Sequence, residues 1–394
     1  MLEQSRHIGL PPIAWNPDAA RNAIDEIVAD ALDHFSSDNF WPSHPAEDRV
    51  PHGQTGFYYG ATGTIWALHY LQQVGATTRA FDFRGNLPHL VAANRKEFAR
   101  RMYRRHGSFH FGDMGTALLA MRLDPTAEYA DHVHQRAQAN NKLPIREFMW
   151  GMAGSMLACV HMAGLEPSPR WRDLFQLQAA RLLKDLRDSD DGPLWIQALY
   201  GRKLPWLGPV HGFAGNMIPL LAGWSWLDPQ QQMRVQDAIC RVLVATAWQS
   251  PMGANWAARA KEEEAPKMCQ HCHGAAGMVT SFASAPFTTP EFEDILRKGA
   301  AFTWEAGPLA KGSNLCHGTG GNGYALLKIH ARTGDRIWLD RARGFAMTAI
   351  EQCDETRKHV GRGRYSLWTG DIGLAVYLWD CLTARPNFPT IDVF

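Results

Sequence analysis

The stretch Leu315-Cys316-His317-Gly318-Thr319-Gly320-Gly321-Asn322 runs directly into an apolar segment over 324–329. Its pattern is a glycine, two residues, a second glycine and then a helix-like hydrophobic run. The same pattern recurs at Gly60/Gly63, Gly112/Gly115, Gly151/Gly154, Gly212/Gly215, Gly274/Gly277, Gly318/Gly321 and Gly370/Gly373, with starts 52, 39, 61, 62, 44 and 52 residues apart. One Gly-x-x-Gly carries little information, whereas seven with the same sequel are an internal repeat. Amphipathic stretches such as 171–186 and 233–248 lie between them, and strand-like alternation is scarce. Each unit therefore reads as a helix pair: an apolar inner helix opened by a glycine turn, and an amphipathic outer one. The chain is expected to be all-α. Seven pairs cannot each bury an apolar face alone and must stack. Closing the stack into a ring hides both edges and puts all seven glycine turns at one end.

Ahead of the repeats, 1–15 read as an irregular arm. A helix then starts at Asn16-Pro17-Asp18, where Asn16 caps, Pro17 suits the first turn and Asp18 meets the positive end of the dipole. Ala20, Ala23, Ile24, Ile27, Val28, Ala31 and Phe35 follow its helical period. The expected organisation is an N-terminal arm and helix over 1–55, packed on one repeat domain over 56–394.

Lys and Arg total 40 against 39 Asp and Glu, a balance that argues against nucleic acid or an acidic membrane as the main partner. No run of ~18 apolar residues occurs, so no membrane span is expected. The start, Met1-Leu2-Glu3-Gln4-Ser5-Arg6-His7, lacks the basic and apolar regions of a secretory signal, which points to the cytoplasm. Seven cysteines make an odd count for a disulfide framework and suit ligands or buried thiols better.

The repeat register brings chemistry to one place. The residues just before the first glycines are Tyr59, Phe111, Trp150, His211, His273, His317 and Thr369, and the ring would set them around its axis. Three consecutive units carry His there, and two of these have Cys one place earlier, Cys272 and Cys316. Cys272, Cys316 and His317 make a Cys2His set suited to zinc, with a fourth position open as in catalytic sites. His273 is an alternative third ligand. Cys269-Gln270-His271-Cys272-His273 also fits the c-type haem attachment pattern, but that chemistry needs export and no signal is present. His211, with no Cys beside it, suits acid–base work near neutral pH. Glu147, four residues before Gly151, is placed to join it as a proton-handling or His-orienting carboxylate. Lys311, His273 and His271 are candidate substrate contacts. Arg100, Arg101, Arg104 and Arg105 form a basic run that reads as a solvated helix face.

These residues resemble the lanthionine synthetase C-like (LanC-like) family. The resemblance covers nearly all of the chain past residue ~50 as seven repeats. It rests most on His211-Gly212-Phe213-Ala214-Gly215, Cys272-His273-Gly274-Ala275-Ala276-Gly277, the opening stretch, and Ser366-Leu367-Trp368-Thr369-Gly370-Asp371. It implies an α/α toroid, a double ring of seven inner and seven outer helices, with Zn2+ on Cys272, Cys316 and His317. It implies addition of a thiol, either a peptide Cys or glutathione, to dehydroalanine or dehydrobutyrine in a peptide or protein. The matching catalytic roles fall on His211 and Glu147. Two positions depart from the family: His271 stands where Trp is usual before the first zinc cysteine, and Ala276 where Pro is usual. With no dehydratase-sized extension, the chain is expected to receive its dehydrated substrate from a dehydratase partner or from damage. Two other functions fit less well. One is a zinc-binding scaffold or peptide-binding protein without turnover. The other is a carbohydrate-active toroid, which leaves the Cys-His pairs unexplained.

Overall fold

A computed structural model describes residues 2–10, 14–46, 53–100, 107–199 and 201–394. Of the basic run, Arg101, Arg104 and Arg105 lie outside the described residues. Among the described residues the chain forms fourteen α-helices and two short antiparallel ribbons, Gln197–Leu199 with Arg202–Leu204 and Ala247–Ser250 with Gly253–Trp256.

Seven helices follow the seven glycine pairs: α2 (Ala61–Gln73), α4 (Met114–Leu123), α6 (Met152–Leu165), α8 (Phe213–Ala222), α10 (Ala275–Phe282), α12 (Thr319–Thr333) and α14 (Asp371–Thr383). They are buried nearly all round; every residue of α10 is covered. The other seven are α1 (Pro17–Asp33), α3 (Leu87–Arg100), α5 (Ala127–Asn140), α7 (Pro169–Lys184), α9 (Pro229–Ala245), α11 (Pro290–Ala306) and α13 (Arg336–Val360). These bury one stripe, as Phe292, Ile295, Leu296, Gly299 and Ala300 show on α11. Each inner helix touches the next, and α14 touches α2, so the ring closes. The outer helix behind α14 is α1, held by Asp30 Oδ2, which accepts from Gly363 N at 3.0 Å and Tyr365 Oη at 2.9 Å.

The two rings begin their helices differently. Several outer helices are capped by side chains. Asn16 Oδ1 accepts from Asp18 N and Ala19 N, and Asp228 with Gln231 forms a reciprocal capping box. Inner helices have no side-chain cap from their own N-cap residue; in α12 and α8 the turn's own backbone folds over the first N–H groups, and in α10 Asn255 Oδ1 accepts from Ala275 N at 2.8 Å. Thr319, Gly320 and Gly321 donate to the carbonyls of Gly312, Ser313 and Asn314, each seven residues earlier, and Phe213 and Ala214 do the same to Trp206 and Leu207.

The second glycine of each pair has a packing reason. A Cβ there would meet, at 2.8–3.6 Å, the side chain six places ahead of the previous pair's second glycine. Those neighbours are Phe57 for Gly115, Phe109 for Gly154, Phe148 for Gly215, Pro209 for Gly277, His271 for Gly321, Leu315 for Gly373 and, across the closure, Leu367 for Gly63. The same Cβ would first meet, at 1.9–2.4 Å, the carbonyl oxygen six places earlier in its own turn, and at every pair but Gly151/Gly154 it would also crowd the neighbouring repeat. The irregular spacing in sequence is absorbed by the outer connections, while the inner register stays constant.

Candidate active site at the ring axis

One strip of backbone ties the turns together. Cys272 N donates to Cys316 O at 3.1 Å, Cys316 N to Trp368 O at 2.9 Å, Trp368 N to Tyr58 O at 3.3 Å and Tyr58 N to His110 O at 3.1 Å. All five residues stand five places before a second glycine, so the hydrogen bonds run from repeat to repeat across the closure. This registers Cys272 against Cys316.

The two thiols touch. A hydrogen bond from Cys316 pulls the Cys272 thiol below its ordinary value; burial opposes it, and Gln270 and the Lys311 ammonium assist. The same contact, with burial, holds Cys316 well above its ordinary value. Cys272 is thus the more acidic thiol of the pair. Gln270 Nε2 donates to Cys272 Sγ at 2.7 Å, and the Tyr58 hydroxyl bonds Cys316 Sγ. Lys311 is exposed, yet both sulfurs feel its charge. Two soft donors in contact, with hydrogen-bond donors behind each, suit a soft divalent metal. Among the described residues no three of His, Cys, Asp and Glu come close enough together to ligate one. His317 and His273 follow the two cysteines directly on the same two turns. The His317 backbone N–H is held by Asn314 Oδ1 at 3.1 Å.

On the neighbouring turns, His211 Nδ1 lies 2.9 Å from Glu147 Oε2. Glu147 is fully buried, because it also closes its own turn: Oε2 accepts from Met149 N at 3.1 Å and Oε1 from Trp150 N. Both backbone bonds use up acceptor capacity of the carboxylate, so the His211 contact is a third N–H donated to it. That assigns the proton to Nδ1 and leaves Nε2 as the atom that exchanges protons. His273 stands next to His211 on the rim, and burial, then His211, pushes its imidazole down to about 4. It is a neutral ring at physiological pH.

The remaining candidates separate. His271 is only 1% exposed and stacks on Phe388, so it faces the inside of the ring rather than a ligand. Trp368 is fully buried and Cys269 likewise. The rim residues of the first three repeats form an aromatic arc. Tyr59 and Phe111 lie 5.6 Å apart, and Phe111 stacks on Trp150 at 4.3 Å. Sequence reasoning missed the sulfur-bonded Gln270 and Tyr58. For Tyr58 a signal existed, since it occupies the register position of the two cysteines.

A closed double ring of helices, with paired thiols and a His–Glu couple on adjacent turns of one end, defines an α/α toroid with a thiol-lined axial site. The model of the family described as lanthionine synthetase C-like protein matches residues 18–393, and the chain belongs to that family. A LanC-like protein, GCL1, of Arabidopsis thaliana is 29% identical over 195 residues, 47% of this chain and 43% of the relative. Glutathione S-transferase LANCL1 of Danio rerio is 35% identical over 129 residues, 31% of each chain. The matches thus span under half the length of these curated relatives. Among solved structures, nisin cyclase superposes with a TM-score of 0.63 at 13% identity, over 95% of this chain and 99% of its own, which shows the shared fold. No helix among the described residues is long and apolar enough to cross a membrane.

Proposed function

We propose that the protein adds a thiol to dehydroalanine or dehydrobutyrine residues of a peptide or protein, as a zinc enzyme working in the cytoplasm. The observation that carries this reading is the contact of Cys272 with Cys316 beside the His211–Glu147 pair. Cys272, Cys316 and His317 would hold the metal, which when bound supplies positive charge that favours the thiolate of an incoming thiol at neutral pH. His211 Nε2 takes the thiol proton. The sulfur lone pair then forms the S–C bond at the β-carbon, and the electrons of the C=C bond move to the carbonyl as an enolate. His211 returns the proton to the α-carbon, so no other reactant is needed. Glu147 holds the imidazole in its tautomer and balances its charge while it carries the proton. Lys311 is placed to meet a carboxylate of the thiol donor. His273, a neutral neighbour, lines the same rim, and the aromatic arc supplies a wall for the peptide.

The name of the Danio rerio relative favours glutathione as the thiol, and the fold shared with nisin cyclase is equally compatible with a cysteine of the peptide itself. The test is to incubate zinc-loaded protein with glutathione and a dehydroalanine peptide, and separately with a dehydrated Cys-containing peptide, and to follow mass and free thiol. Addition or ring closure is expected. Neither in both experiments would leave a scaffold without turnover.

A further inference from the structure

The chain after α14 does not stay on the outside. Residues 387–394 thread into the middle of the ring, where their two phenylalanines serve different halves. Phe394 packs against Phe57, Trp66, Phe109 and His161, at centroid distances of 5.7, 6.2, 5.9 and 5.1 Å, in the first three repeats. Phe388, fully buried, stacks on His271 at 4.6 Å with an 18° interplanar angle, and lies 5.3 Å from Trp368 and 4.8 Å from Tyr324, in the last three.

Polar groups fix this segment. Asn387 N donates to Asp380 Oδ2 at 2.9 Å, and Phe388 N donates to Asp392 Oδ2 at 2.7 Å. Asp392 Oδ1 meets Lys328 Nζ at 2.6 Å, a lysine itself buried on α12. Thr390 takes a left-handed φ of +66° and its carbonyl accepts from His161 Nε2 at 3.0 Å. A β-branched residue held at that angle marks a segment over-determined by its surroundings.

His271 is the link to the site. It directly precedes Cys272, and its ring has Phe388 on one face and Trp368 at 5.6 Å. Its Cβ lies against Gly321 of α12, close enough that a Cβ built there would come within 3.1 Å. The residue is 1% exposed, and of its two aromatic partners Phe388 comes from outside the seven turns.

We propose that Phe388 is a positioning residue: by backing the His271 ring it holds the Cys272 turn at the height where its sulfur meets Cys316. The zinc reading above supplies one readout for this, and a second is independent of it. Removing the Phe388 ring opens a void under His271 that the Cys272 turn settles into, whereas Phe394, which is partly exposed and packs on the first three repeats, leaves the support of His271 in place when its ring is removed.

The test compares Phe388→Ala with Phe394→Ala in the full chain, at a temperature where both are folded. Both should lower the melting temperature. Zinc affinity, measured by chelator competition, should fall on the order of 10–100-fold in Phe388→Ala, the range for residues supporting metal ligands. It should stay unchanged in Phe394→Ala, and Phe388→Leu should fall between. Equal affinities in the two Ala variants would overturn the proposal. Wild-type protein that takes up no zinc would instead refute the metal reading, and the second readout then decides. Cys272 alkylation by iodoacetamide in metal-free protein should be faster in Phe388→Ala than in wild type and Phe394→Ala. Equal rates would overturn the positioning role.

Discussion

Glu147→Gln isolates the charge of the carboxylate from its shape. Glu147 accepts three N–H groups, from Met149, Trp150 and His211. In the amide the orientation that loses least places its NH2 group toward Trp150 N and keeps the oxygen on Met149 N and His211 Nδ1. One buried backbone donor is then unsatisfied, which costs about 1–3 kcal/mol of stability. The His211 tautomer survives, so the loss in chemistry is electrostatic. When His211 carries the thiol proton it becomes a cation beside a carboxylate rather than an amide. Two unit charges ~4 Å apart attract by about 4 kcal/mol at the effective dielectric of such sites. At 1.36 kcal/mol per decade that bounds the effect near 10³-fold, and partial charge transfer in the transition state brings the expected fall in kcat to about 10²–10³-fold. The assay is glutathione addition to a dehydroalanine peptide with zinc content measured on the same sample. Turnover within about tenfold of wild type, with zinc retained and the urea midpoint shifted as expected, would refute the assigned role of Glu147.

Other outcomes follow from the same geometry. Cys316→Ala removes one sulfur of the touching pair and should abolish tight zinc binding; stoichiometric metal after dialysis would count against the ligand set. Gly277→Ala drives a methyl into the His271 carbonyl oxygen, 1.9 Å from the Cβ position, and toward the Pro209 ring at 2.8 Å, and should destabilise the fold by about 1–3 kcal/mol or more in urea denaturation. Asp371 is buried, which raises its carboxyl from 3.8 to about 6. Between those values the unfolded chain gives up this proton while the folded chain keeps it, so its contribution to stability is present below about pH 4 and is lost as pH rises to about 6. Asp371→Asn should flatten that part of the pH–stability curve, and curves of equal slope would show that burial does not hold the proton on Asp371.

The glycine pairs made the ring legible, because seven copies of one turn need an arrangement in which all are equivalent. Part of what the second glycines are for is local, since the carbonyl six places earlier crowds each of them; the neighbour in the adjoining repeat, 45 to 68 residues away at every pair but the closing one, is visible only in three dimensions. The touching cysteines followed from the same register, and Glu147 from its offset to Gly151. The choice between His317 and His273 did not, and no triad of His, Cys, Asp and Glu among the described residues decides it. His271 read as a substrate contact because it adjoins Cys272. Its side chain turns inward because Phe388, 117 residues later, offers it an aromatic face, and a contact of that separation leaves no trace in the local sequence. The outer helix behind α14 comes from the start of the chain, a pairing across more than 300 residues at the ring closure that no local pattern marks.

That closure has a temporal cost. Thr64 Oγ1 on α2 donates to the carbonyl of Tyr365, 301 residues later. During synthesis at roughly 5–20 residues per second, the flank of α2 that will meet α14 waits about 15–60 s for its partner. An open arc of stacked helices shows an apolar flank at each end throughout that interval. The hazard lies in waiting rather than in slow folding of any one repeat, so nascent chains stalled before the last glycine turn are the species that chaperones would have to shield.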